Sequence, residues 1–249
     1  MSRVEKSSAL ILRRHDFSET SFVVHFLTPD FGRLSALAKG AKRPRSPMQG
    51  ALEPLTLADV VFYRKNAPSL HILSQSRTAE YWRGIRSNLE AFYAAHRVAE
   101  LLLTAVPPEL PQAELFELAT GALRKLDEGG KPGIVTLSFE AGLLKHMGSL
   151  PRTDVCVGCQ KSWSKGERGV FHPLSGGALH PPCARERGIA GLGVGAGTLH
   201  LLEQFARDRV PRADRVTLDK TVAKELRALV DEYFRFLLER DLRTGRFIS

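Results

Sequence analysis

The feature that most constrains this chain is where it places its three cysteines. They stand as Cys156-Val-Gly-Cys159 and then, after twenty intervening residues, as His180-Pro-Pro-Cys183. Two ligand pairs of this spacing match two knuckles closing on one tetrahedral metal ion, because two intervening residues let both side chains of a tight turn face the same point. Gly166, Gly169, Gly176 and Gly177 supply turn residues for a small ribbon between the pairs. Three sulfurs and one imidazole suit Zn2+ and fill all four positions. One structural zinc ion on Cys156, Cys159, His180 and Cys183 is therefore expected, since catalytic zinc keeps a position open for water. Three other readings stay open: ordinary buried thiols, His172 as a less regularly spaced fourth ligand, and a disulfide between Cys156 and Cys159. The start, Met1-Ser2-Arg3-Val4-Glu5-Lys6, has no apolar signal core. The expected location is the reducing cytoplasm, where such cysteine pairs usually hold metal.

At 249 residues, 43% of them hydrophobic, the chain has room for two domains with cores of their own. Its longest apolar runs, such as Leu101–Leu103, are far too short to span a membrane. Thirty-six basic against 27 acidic residues leave a net charge of +9, which makes a polyanion the default partner. The distribution strengthens that reading. No acidic residue stands between Asp30 and Glu53, and that gap holds Arg33, Lys39, Lys42, Arg43 and Arg45.

Along the chain, residues 8–76 read as β structure. Strands are expected over Ser8–Arg13, Ser21–Leu27, Arg33–Ala38, Leu55–Tyr63 and Leu70–Ser76, with a turn at Asn66-Ala67-Pro68. Gly40–Gly50, with its prolines and glycines, is a loop. Five short strands in about seventy residues point to a small barrel. Helical periodicity begins after Asn88, a candidate N-cap. Helices are expected over Leu89–Val106, Ala113–Glu128 and Ile134–Met147, then Thr198–Arg207 and Lys220–Asp241. The metal segment lies among them, followed by Gly188–Gly197 as a flexible glycine-rich connector. The helices on either side of the insert are expected to form one bundle.

The basic loop Gly40-Ala41-Lys42-Arg43-Pro44-Arg45-Ser46-Pro47 is the strongest functional segment after the metal ligands. Five-stranded Greek-key barrels bind nucleic acid along one strand face and its adjoining loops, with cations on phosphates and aromatic rings under bases. Of the nearby aromatics, Phe22, Phe26 and Phe62 are expected in the barrel core, leaving Phe31 and Tyr63 as stacking candidates. A second basic stretch, Arg207, Arg209, Arg212 and Arg215, is diluted by Asp208 and Asp214. Arg185 and Arg187 follow the last metal ligand. Enzyme signatures fail on inspection. Gly130-Lys131 is followed by Pro132, so it is no phosphate loop. Gly191-Leu-Gly193-Val-Gly195 has no buried strand expected before it. No Gly-x-Ser-x-Gly occurs. His146 lies near the end of an expected amphipathic helix, where packing or capping accounts for it.

The residues resemble the RecO family of bacterial DNA repair and recombination mediators. The resemblance runs through Ala9-Leu-Ile-Leu-Arg-Arg14, Ser18-Glu19-Thr20, Leu27-Thr28, Phe31-Gly32-Arg33-Leu34-Ser35, Lys39-Gly40-Ala41-Lys42-Arg43-Pro44 and Gly50-Ala51-Leu52-Glu53-Pro54. It continues through the cysteine segment, with Phe171 and Gly176-Gly177 between the ligand pairs, to Leu242-Arg243-Thr244-Gly245-Arg246-Phe247. The chain departs from the family pattern at His180, where a cysteine is usual. The resemblance implies a multidomain α+β protein: an N-terminal five-stranded OB-fold barrel over residues 1–80, then a helical bundle domain over 81–249 with a zinc module at 150–187. It implies a cytoplasmic, nucleoid-associated, non-enzymatic mediator that binds single- and double-stranded DNA and anneals complementary strands. With RecR it would help load RecA onto DNA coated by single-strand-binding protein, whose C-terminal tail is an expected ligand. Catalytic residues are not expected. Lys39, Lys42, Arg43 and Arg45 are the expected phosphate contacts, with Arg33 and Arg14 beside them.

Two other classes of function compete. A zinc-dependent nucleic-acid-processing enzyme needs an open metal position and a neighbouring base, and Pro182 stands where a deaminase carries its glutamate. An assembly factor would turn the basic surface toward acidic protein instead of DNA.

Overall fold

The computed structural model describes residues 3–65, 70–207 and 218–246. The expected turn at Asn66-Ala67-Pro68, together with Arg209, Arg212, Arg215 and Phe247, lies outside the described residues. The chain divides into two compact units, residues 1–129 and 130–249.

The first unit is built on a closed barrel of strands β1 (Arg3–Asp16), β2 (Phe22–Thr28), β3 (Gly32–Ala38), β4 (Thr56–Arg64) and β5 (His71–Tyr81), ordered β1-β2-β3-β5-β4. β3 and β5 pair in parallel and the other pairs are antiparallel, the arrangement of a five-stranded Greek-key barrel of the OB type. β1 is much longer than its expected Ser8–Arg13. Arg3–Ile11 pairs with β4 and Leu10–Asp16 with β2, and a bulge between Ile11 and Arg13 turns the strand round the barrel corner. Its polar ends carry no apolar signal, because their pairing is made by the backbone. β5 likewise runs on to Tyr81.

Alternating residues fill the interior: Ala9, Ile11, Val24, Phe26, Leu34, Ala36, Phe62 and Leu73. Ala41, Met48, Ala51 and Leu52 from the long β3–β4 loop join the same core, so the basic loop is tethered at both ends by buried apolar side chains. Phe31 packs against this core with its ring edge-on to Phe62 at 5.4 Å, so it is a wedge of the core and no stacking platform.

Three helices complete the unit: α1 (Arg83–Ser87), α2 (Leu89–Ala105) and α3 (Ala113–Asp127). Asn88 caps α2, its side-chain oxygen accepting the Ala91 N–H at 3.0 Å. α1 carried no periodic signal and was not expected. It aims Arg86 at the carbonyl of Pro54 (2.9 Å), fixing the start of β4. α2 lies against β1 and α3 against β2. The segment between them is laced to the β2–β3 turn, with the Glu109 N–H on the Arg33 carbonyl (3.1 Å) and the Gln112 N–H on the Pro29 carbonyl (2.9 Å).

The second unit centres on α4 (Pro132–His146), which packs with α6 (Ala196–Arg207) and α7 (Lys220–Leu238). α4 departs from the expected amphipathic helix: Ile134–Ala141 are all buried, as befits a helix covered on every side. α7 stops at Leu238, short of the expected Asp241, because Glu239 turns into the left-handed region (φ 54°).

Between α4 and α6 the chain forms β6 (Arg168–His172), β7 (Gly177–Leu179), α5 (Pro181–Glu186) and β8 (Leu192–Gly195). The sheet order is β7-β6-β8. The Gly188–Gly197 connector therefore needs correction, since Leu192–Gly195 is a strand paired with β6 and Ala196 already opens α6. Gly191 is required sterically, since a Cβ there would come within 2.1 Å of the Phe171 carbonyl oxygen. Glu225 of α7 clamps this sheet to the bundle, accepting from the Gly195 N–H (3.0 Å), Thr198 Oγ1 (2.8 Å) and Arg168 (2.7 Å). Burial opposes ionisation of Glu225, but these donors outweigh it and hold its pKa below the usual carboxylate range.

Candidate metal centre and nucleic-acid interface

Cys156 and Cys159 sit on the turn that precedes the sheet, and His180 and Cys183 at the start of α5. One donor atom from each of the four lies within 4.8 Å of all the others. Ligands about 2.3 Å from a zinc ion stand about 3.8 Å apart at tetrahedral angles, so the cluster has the dimensions to hold one ion. His180 turns Nδ1 toward the Cys159 sulfur (3.3 Å). His172 lies elsewhere, with its Nδ1 on Ser175 Oγ at 2.9 Å. The three cysteines are free thiols, and Cys156 is fully buried.

The first knuckle depends on Gly158, where a Cβ would meet the Cys183 Cβ at 2.9 Å. The N–H groups of Gly158 (3.3 Å) and His180 (3.2 Å) both point at the Cys156 sulfur. Burial opposes ionisation of that thiol, yet these donors, with Cys159, bring its pKa down to about 6. Burial, followed by hydrogen bonds and repulsion from Cys159 and Cys156, pushes Cys183 up to about 11. Three thiols this close do not all ionise without a cation among them. A soft dication is what this donor set accommodates.

Spacing gave no hint of two further residues. Glu167 Oε1 lies 3.2 Å from His180 Nε2, the ring nitrogen turned away from the cluster. Trp163 packs its ring 4.4 Å from the same imidazole. Both are brought there by the fold of the ribbon.

The six expected phosphate contacts divide into two groups. Arg14 pairs with Glu53 (2.7 Å). Lys42 is held by Asp16 (2.9 Å) and the Ser18 carbonyl (2.9 Å). Arg33 donates through Nε to the Val106 carbonyl (2.8 Å). Lys39, Arg43 and Arg45 are exposed and take part in no ion pair among the described residues. Arg45 adopts φ 64°, which sets the loop's turn.

On the neighbouring outer face of β1, β2 and β3, Arg13 pairs across to His25 and His25 to Ser35, with His15 5.2 Å from the His25 ring. Burial, then His15, Arg13 and Arg33, lower the His25 pKa below its ordinary value, so its imidazole is neutral at pH 7. Tyr63 is 40% exposed on the outside of the barrel. No described helix is long and apolar enough to cross a membrane.

Comparison with known proteins agrees with this architecture. The N-terminal family profile of recombination protein O matches residues 1–82, and its C-terminal profile residues 86–246. The chain is similar to the DNA repair protein RecO of Rhodopirellula baltica, 35% identical over 69% of this chain and 63% of that protein. It is 31% identical to the protein of that name from an Anaeromyxobacter species, over 98% of this chain and 95% of the relative. For the Bacillus subtilis protein of that name the identity is 28%, over 98% and 93%. With both halves matched in order, and the barrel and cysteine cluster in their places, this chain belongs to the recombination protein O (RecO) family.

Proposed function

We propose that this protein acts in DNA repair as a non-enzymatic mediator. In this reading residues 1–80 form a nucleic-acid-binding barrel, and 81–249 a helical domain carrying the zinc module at 150–187. It binds single- and double-stranded DNA and anneals complementary strands. With RecR it helps load RecA onto DNA coated by single-strand-binding protein, whose C-terminal tail it also engages. Its place is the cytoplasm, at the nucleoid. The repair role is supported by similarity to the DNA repair proteins RecO described above. The observation that carries DNA binding is the exposed trio Lys39, Arg43 and Arg45 on a loop pinned to an OB-type barrel.

Annealing two polyanions requires that their mutual repulsion be screened. Fixed cations do this by displacing counterions from the phosphates, with no bond made or broken, so no side chain need act as acid, base or nucleophile. The trio, joined by Lys42, Arg33 and Arg14 where their internal partners yield to phosphate, supplies those cations. Cys156, Cys159, His180 and Cys183 would hold one Zn2+, which when bound crosslinks the module. The four protein donors leave it no open position for water, and so a structural role.

The test uses a variant with Lys39, Arg43 and Arg45 changed to Ala and Lys42 kept, because Lys42 anchors the loop to Ser18. The slope of log affinity against log salt for a single-stranded oligonucleotide should become shallower by about 2, from about 0.7 per lost phosphate contact. The annealing rate of complementary strands should fall with it. An unchanged slope in a folded variant removes this loop from the interface.

A further inference from the structure

We infer that the barrel carries a base-stacking row beside the basic loop, selective for single-stranded nucleic acid. This rests on the DNA-binding reading above and deepens it. Cross-strand pairing lines up Leu37 with Ile72, Ile72 with Tyr63, and Tyr63 with Val4, across β3, β5, β4 and β1. Their neighbours Phe62, Leu73 and Ala38 point into the core, so this row faces outward. Val4 is 52% and Tyr63 40% exposed, and Leu37 and Ile72 are half-buried.

Charge identifies the occupant. Two residues along from the row, Lys6 follows Val4, Lys39 follows Leu37 and Lys65 follows Tyr63, all three exposed. No acidic residue stands in the row itself. Flat apolar contacts flanked by cations fit a chain with an anionic backbone and unpaired bases, because every base offers a π-face to a ring. Duplex DNA keeps its bases stacked on each other and reaches only the lysines. The row starts two residues before Lys39, so one strand can lie across both features.

Tyr63→Ala should weaken binding of a single-stranded oligonucleotide about tenfold while leaving duplex affinity and the salt slope unchanged. Tyr63→Phe keeps the ring and should bind as the unaltered protein does. A 2-aminopurine oligonucleotide should be quenched on binding the unaltered protein and the Phe variant, and not the Ala variant. Equal losses for single strands and duplex, or no loss for either, would overturn the row. If the slope test also fails, the DNA-binding reading falls with it. A full slope with a silent Tyr63→Ala removes the row alone.

A separate observation assigns a positioning role to Glu167. His180 presents Nδ1 to the cysteine cluster and Nε2 to Glu167 (3.2 Å). Glu167 is itself aimed, since its Oε2 accepts the Ser164 N–H at 2.8 Å. An imidazole that ligates through one nitrogen carries its proton on the other. A carboxylate there fixes the tautomer and makes the ligating nitrogen more basic. Glu167 thus orients His180 as a ligand.

Glu167→Ala should lower zinc affinity about 10–100-fold, measured by competition with a chromophoric chelator. In a His180→Cys background the same change should have no effect, because a thiolate has no second nitrogen to orient. The Co2+ absorption bands should shift on Glu167→Ala only where His180 is present. Equal losses in both backgrounds would reduce Glu167 to a support of the Ser164 turn, and no loss in either would dismiss it.

Discussion

Cys156→Ser is expected to release the metal and unfold the whole module while leaving the barrel intact. The module's buried cluster holds Cys156, Leu179 and Ala184, with Val157, Trp163, Val170, Cys183 and Ile189 packed round it. Burying a side chain of leucine size contributes about 1.5–3 kcal/mol. Ordering backbone costs about 1–2 kcal/mol per residue, over a segment many times longer than this cluster. So small a core is not expected to hold residues 151–187 together without a crosslink, even with Phe171 packed on Tyr233 and Glu225 clamping the sheet. A structural zinc ion contributes about 10–16 kcal/mol in comparable peptides, the largest single contribution open to a module of this size. Bound zinc should fall from one ion per chain to none. Amide protection over β6, β7 and α5 should collapse, with protection over β1–β5 unchanged. Retained protection in a zinc-free variant would show that the ribbon stands on packing alone.

The second large effect is expected at Glu140, whose side chain is fully buried and lies 2.7 Å from Arg227 of α7. The contact is close but oblique, and Asp231 shares the same guanidinium at 3.0 Å. Glu140→Ala removes the fully buried carboxylate beside Arg227, which then has Asp231 as its remaining partner, on Nε and on the terminal nitrogen, both at 3.0 Å. Removing one partner of such a pair costs about 3–5 kcal/mol. Urea unfolding of the second unit should show a loss of that size. Changing Glu140 and Arg227 together to Met and Leu should recover most of it, because the desolvation cost disappears with the charges. A loss under 1 kcal/mol for Glu140→Ala would mean that Asp231 alone satisfies Arg227.

These two sites differ in how far the amino-acid order announced them. The Cys3His cluster was legible because both halves obey short-range geometry: two residues between paired side chains on one turn place them on the same side. Glu140 was invisible as part of an ion pair. Nothing local distinguishes it from a solvated helix glutamate, and its partner stands 87 positions away. The basic loop was legible as a run of cations, but its division was not. Arg14, Lys42 and Arg33 are held by Glu53, Asp16 and the Val106 carbonyl, and only folding brings those groups alongside. β8 was missed because strands are read from apolar side chains, whereas Leu192–Gly195 is held by backbone pairing to β6.

The order of residues by itself determined the donor set at Cys156, Cys159, His180 and Cys183, the five-strand count, and the acid-free basic stretch. Each is written in spacings of a few residues, over which backbone geometry is nearly invariant. Tertiary structure alone decided that Glu167 stands behind His180, that Lys39, Arg43 and Arg45 enter no ion pair among the described residues, and that Val4, Tyr63, Ile72 and Leu37 share one face. Those relations join strands and turns far apart in the chain. They come into being when the barrel closes and the ribbon folds, because burial of the apolar interior sets the register that places them side by side.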